Sequence, residues 1–149
     1  MRIIYLVIIT FLISCAPAKK LQFTRTGEVE CENFTSSVIT LRSTARASDL
    51  SGAVYFAERN AFENILFKGI PDCNLRTPLI ENEGTFMSKH KAEFDQLINS
   101  NYVKYIVKSS TLNSNNQKGI TAITQLITID LSALRKDLES QGLIRKFGI

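Results

Sequence analysis

Residues 37–68 read SVITLRSTARASDLSGAVYFAERNAFENILFK, and this stretch decides the fold class. Over 37–47 the side chains alternate: Ile39, Leu41, Ser43, Ala45 and Ala47 share one side, Val38, Thr40, Arg42, Thr44 and Arg46 the other. Period two with one wet side predicts a half-buried strand of an antiparallel or mixed sheet. At Ser48-Asp49 the period changes. Ala53, Ala57, Ala61 and Ile65 recur every fourth residue, flanked by Val54, Phe62 and Leu66, which predicts a helix over 49–68 with an N-cap at Ser48-Asp49. Lys68 suits the C-terminal dipole, Gly69 suits a left-handed cap, and Pro71 forbids continuation. The alanine column lets the helix lie close to Ser43, Ala45 and Ala47 on the strand.

Downstream, 75–84 reads as a loop or short extended piece, and Thr85 as the cap of a second helix reaching about residue 100. That helix carries a stripe of Phe86, His90, Phe94, Leu97 and Ile98. A strand is expected over 102–111, with Val103, Tyr105 and Val107 opposite Lys104 and Lys108. A polar turn over 113–119 and an Ile/Thr-rich strand over 120–130 complete a hairpin with a long loop. Residues 131–141 read as a short helix with Leu131, Leu134 and Leu138 inward and Gly142 as its stop. The expected order is β-α-α-β-β-α. The class is α+β, a small antiparallel or mixed sheet with helices packed on one face.

Upstream, Met1-Arg2 supplies a positive charge and residues 3–13 are almost unbroken hydrocarbon, closing on Leu12-Ile13-Ser14-Cys15. A positive start and an apolar run of ~7–15 residues describe an export leader rather than a span, which needs ~20 residues. The close on Leu-Ile-Ser-Cys resembles a bacterial lipobox, where a peptidase cuts before a cysteine acylated on sulfur. The expected divisions are therefore a lipoprotein signal peptide over 1–14, a lipid-anchored tether over 15–34 and one α+β domain over 35–149. Cys15 is the lipidation site. Lys19, Lys20 and Arg25 lie in the tether, where basic residues near an anionic leaflet add ~1 kcal/mol each. Ala16 follows the cysteine rather than the aspartate that retains many lipoproteins at the inner membrane, and acidic surface-export residues are lacking there. The expected location is the periplasmic face of the outer membrane, the membrane itself being the first partner.

Loss of Arg2 with the leader lowers the formal charge from +4 to +3, too small a surplus to argue for nucleic acid. With Cys15 acylated, Cys31 and Cys73 remain, an even number in an oxidising compartment. A strand of about ten residues leaves from Cys31 and covers ~33 Å. The helix of about twenty returns ~30 Å. Both cysteines then lie near one end, which favours a disulfide; two separate thiols remain the alternative. A Cys31, Cys73 and His90 metal site lacks a fourth ligand and metal-type spacing. His90, the one histidine, reads as half-buried on its helix, with no nucleophile-and-base motif beside it. Arg42 and Arg46 read as solvated, with an anion-binding role as the sharper alternative. The carboxylate pairs Glu81 and Glu83, and Glu28 and Glu30, fall in loops. No glycine loop cradles a phosphate, and no cofactor or metal is implied.

The strand-to-helix stretch over 38–66, with ITIDLSALRKDL at 127–138, resembles the small α+β domains of bacterial envelope lipoproteins. Among these are the N-terminal domain of a flagellar ring-assembly protein and related short lipoproteins. The ending GLIRKFGI at 142–149 is similar to lipoproteins of the Bacteroidetes type. The resemblance carries no catalytic residues and no flagellar role. It implies the fold and the envelope compartment; the leading expectation for function is a non-catalytic lipoprotein that binds or helps assemble something in the cell envelope. A surface structural or adhesive subunit is the alternative, and an envelope enzyme comes third.

Overall fold

In the computed structural model, residues 21–146 are described. The leader and Cys15 lie outside the described residues. The elements run β1 (Val29–Phe34), β2 (Val38–Ala47), α1 (Leu50–Phe67), a 3-10 turn (Pro71–Cys73), α2 (Glu83–Gln96), a π turn (Leu97–Asn101), a 3-10 turn (Tyr102–Tyr105), β3 (Ile106–Gln117), β4 (Ile120–Asp130) and α3 (Leu131–Ser140). The four strands form one antiparallel sheet in the order β1-β2-β4-β3, covered by helices on one face, an α+β fold.

The alternation in β2 does what its period requires. Ile39, Leu41, Ser43 and Ala47 are buried under α1, and in β4 the buried partners are Ile129, Ile127, Gln125 and Thr121, each directly opposite in register. On the bare face Thr40 meets Thr128 and Thr44 meets Thr124, hydroxyl to hydroxyl at 3.1 and 3.2 Å. Asp49 caps α1 by accepting from Gly52 N at 2.7 Å. α1 crosses β2 and β4 with Ala53, Ala57, Ala61, Phe62, Ile65 and Leu66 buried. Gly69 (φ 79°) then turns the chain so tightly that a Cβ there would lie 2.8 Å from the carbonyl oxygens of Leu75 and Arg76. Glycine alone tolerates both demands.

Four elements differ from the sequence expectation. Val29–Phe34, read as tether, is the edge strand β1, so the order is β-β-α-α-β-β-α. A bulge between Cys31 and Asn33 shifts its register and breaks the alternation that would have revealed it. α2 starts under Asn82, which accepts from Thr85 N at 2.8 Å; Thr85 is not the cap. Tyr102–Tyr105 is a 3-10 turn, and a shift between Ile106 and Lys108 leaves Val107 outward, away from the core predicted for it. The polar run at 113–117 continues β3 as an exposed outer strand. The hairpin closes on Lys118 and Gly119 alone, both with positive φ (52° and 75°), the geometry of a two-residue primed turn.

Candidate functional site

Cys31 on β1 and Cys73 in the turn after α1 are joined as a disulfide, Cα to Cα 5.3 Å, across 42 positions of sequence. The pairing is as expected but the path is not: Cys31 lies on β1, opposite Leu41, so the chain turns through the β1–β2 hairpin before α1 returns it to Cys73. With both sulfurs in this bond, neither is available to a metal, and among the described residues no group of three His, Cys, Asp or Glu could hold one.

The remaining residues singled out from the sequence fall in separate places. Arg42 and Arg46 stand on the bare face of β2, alternating with the buried Leu41, Ser43 and Ala47. Arg42 pairs with Glu30 (3.4 Å) and Glu32 of β1, one cation between two carboxylates across the strands. Glu83 is held by a bidentate bond from Arg25 (3.1 and 2.7 Å), while Glu81 is exposed. His90 lies on α2, in the helical layer across the sheet from the arginines. Its backbone departs from helical geometry (φ −128°, ψ 27°), its ring centroid is 5.3 Å from that of Phe86, and Nδ1 is 3.9 Å from Glu93 Oε1.

Two polar clusters, one around buried Glu58 and one around buried Asn60 and Asn64, have no counterpart in the sequence reading. Glu58, on the sheet side of α1, accepts from Tyr102 Oη (2.9 Å) and Ser109 Oγ (2.7 Å), and Ser109 in turn accepts from Gln125 Nε2 (3.0 Å). Burial, then the Glu58 carboxylate, pushes the Tyr102 phenol well above its ordinary value, so it stays a donor. Two and six residues further along the same helix, Asn60 and Asn64 hold the segment before β1. Asn60 Oδ1 accepts from Thr26 N (2.9 Å), and Asn64 Nδ2 donates to Thr26 O (3.0 Å). The signal for this was there: asparagine is a poor helix former, and two of them one turn apart inside an 18-residue helix want a structural reason.

A groove with a cavity of about 660 Å³ opens between the loop at 77–82, the first turns of α2 and the tail at 143–146. Local pairing builds its walls. Leu79 N and Ile80 N donate to Ile65 O (3.2 Å) and Leu66 O (2.8 Å), covering carbonyls that α1 leaves unpaired at its end. Gly142 (φ 69°) ends α3, and Leu143 N turns back to Leu138 O (2.9 Å). Buried Ile80 and Phe86 with Leu143 and Ile144 make the apolar part. Lys89, His90, Arg145 and Lys146 line it against a single acid, Glu81. Among the described residues Lys89, Arg145 and Lys146 form no ion pair, and no hydrogen bond links His90 to a hydroxyl. An apolar wall beside cationic side chains can hold an apolar group that ends in negative charge. No family model, curated protein or solved structure matches the chain.

Proposed function

We propose that this chain is a non-catalytic lipoprotein of a bacterial cell envelope, anchored through Cys15 at the periplasmic face of the outer membrane, that binds or helps assemble an envelope partner. The observation that carries the binding role is the groove, where buried Ile80 and Phe86 adjoin three cations without ion-pair partners among the described residues. Burying an anionic segment there satisfies those charges and covers the apolar wall. The compartment draws support from the lipobox and from the Cys31–Cys73 disulfide, which belongs to oxidising surroundings. Crosslinking in native membranes, with mass analysis of the N-terminal peptide, tests both parts. A partner captured by the parent chain and lost with Lys89→Glu and Lys146→Glu supports the groove. A partner retained by that variant, or a Cys15 without lipid, counts against the corresponding half of the proposal.

A surface structural or adhesive subunit is favoured by one feature, the outer edge of β3, twelve residues long and mostly exposed, onto which a strand of another subunit would add. Two register shifts and Lys108 blunt that edge, which weighs against it. An enzymatic role has less support, because His90 and the Arg42–Arg46 pair lie on opposite sides of the sheet.

A further inference from the structure

We infer that the domain rests on the membrane by one particular end, the end made by the start of α1, the start of β4 and the β3–β4 turn, with the groove directed away from the lipid. This rests on the lipid-anchor reading and adds to it a surface and an orientation. A free tether over 15–34 would leave orientation open, since twenty extended residues reach ~70 Å. The segment at 23–28 is not free. Beyond the Asn60 and Asn64 bonds to Thr26, Glu28 O accepts from Thr44 N (3.1 Å), and Arg25 bonds Glu83. Arg59 lies 4.2 Å over the Phe23 ring, and Phe23 meets Phe56 edge-on at 5.5 Å.

Followed backward, this strap passes Asn64 and Asn60, then Arg59 and Phe56, so it leaves the fold toward the first turns of α1. Only positions 16–20 separate Cys15 from Leu21, a reach of about 20 Å. The end from which the strap leaves carries exposed hydrocarbon, Leu50 (54%), Ile120 (41%) and Leu21 (37%), while the exposed Val103, Val107 and Leu112 lie along β3 and the turn before it. The first three belong to one end, because Ala47 pairs with Thr121 at the margin of the sheet, and α1 starts three residues after Ala47. Exposed Arg46 and Lys118 stand there with an exposed acid, the N-cap Asp49, and cations near an anionic leaflet are attracted to it. The occupant that fits a short lipid leash, three protruding aliphatic side chains and two cations is the lipid surface itself. The groove lies near the other end of α1, ~27 Å along an eighteen-residue helix.

The chain contains no tryptophan, so single reporters can be read without background. Full-length protein carrying Leu50→Trp, Ile120→Trp or, at the groove end, Arg76→Trp is extracted from membranes. It is checked for lipid on Cys15 and placed in phosphatidylglycerol-containing vesicles with a dansyl headgroup acceptor. The expected result is a larger loss of tryptophan emission at positions 50 and 120 than at 76. Lipid on Cys15 with equal or greater loss at position 76 overturns the orientation alone. A Cys15 without lipid overturns the anchor and the orientation together.

Discussion

The two halves of α1 are built from different material and hold the sheet in different ways. The C-terminal half packs Phe62, Ile65 and Leu66 among Ile39, Leu41, Ile127, Leu131 and Leu134, and is closed by the Cys31–Cys73 disulfide. The N-terminal half packs Ala53 and Ala57 against Ala47 and Ile123, with Ser43 Oγ donating to Ala57 O at 2.7 Å. One half is stabilised by buried volume and a cross-link, the other by close approach of backbones that small side chains permit. The difference teaches that the helix tolerates opposite changes at its ends: loss of volume is expensive at one, gain of volume at the other.

The comparison breaks first at the bulky half. Phe62→Ala removes a fully buried ring and is expected to lower unfolding free energy by about 3–5 kcal/mol, read by urea denaturation. Removing the cross-link with Cys31→Ser and Cys73→Ser is expected to cost about 2–4 kcal/mol, because the denatured chain regains the freedom of a loop spanning 42 positions. Thermal unfolding with and without reductant should show the same loss in the parent chain and none in the double variant. At the small half, Ala57→Leu is expected to cost about 1–3 kcal/mol by overpacking. It should also loosen the strap, seen as faster hydrogen exchange at Thr26 N, since Asn60 is carried on the same helix. Slow exchange there would mean that the alanine column is not under tight contact.

The smallest effect sharpens the bulky side. Lys104, then Tyr105, holds the Asp137 carboxyl below the usual carboxylate range through bonds of 2.7 and 2.9 Å. A depressed carboxyl contributes stability that is present above its unfolded value and is lost as pH falls through the folded one. Both charged partners are well exposed, so solvent screening holds the contribution to about 0.5 kcal/mol. Asp137→Asn should therefore lower stability at neutral pH by about 0.5 kcal/mol, leave it unchanged at the lowest pH, and so flatten the acid limb of a stability-versus-pH curve slightly. An unaltered acid limb would assign the acid sensitivity to other carboxylates.

Legibility in the sequence followed periodicity. β2, β4 and α3 each bury one face, and α1 does so over its first half before being buried all round at 60–66, so residues such as Ile39, Leu41, Ala57 and Leu134 repeat at the interval that their backbone imposes. β1 and the outer part of β3 were not legible as strands. Edge strands meet water on most sides and carry bulges, so Cys31-Glu32-Asn33 and 113–117 show no alternation. The groove was illegible for a different reason. Its walls at 77–82 and 143–146 lie more than sixty positions apart, and no local pattern marks residues that meet only after the chain has folded.

The amino-acid sequence by itself determined the class of fold, the first strand-to-helix unit and the pairing tendency of Cys31 with Cys73. Each follows from short-range periodicity, caps and element lengths. Tertiary structure alone decided that the segment before β1 is strapped to α1, that Arg42 and Arg46 stand across the sheet from His90, and that Lys89 and Lys146 share a groove. Those arrangements depend on which faces are brought together by long-range burial, and a contact between distant positions leaves no periodic trace in either.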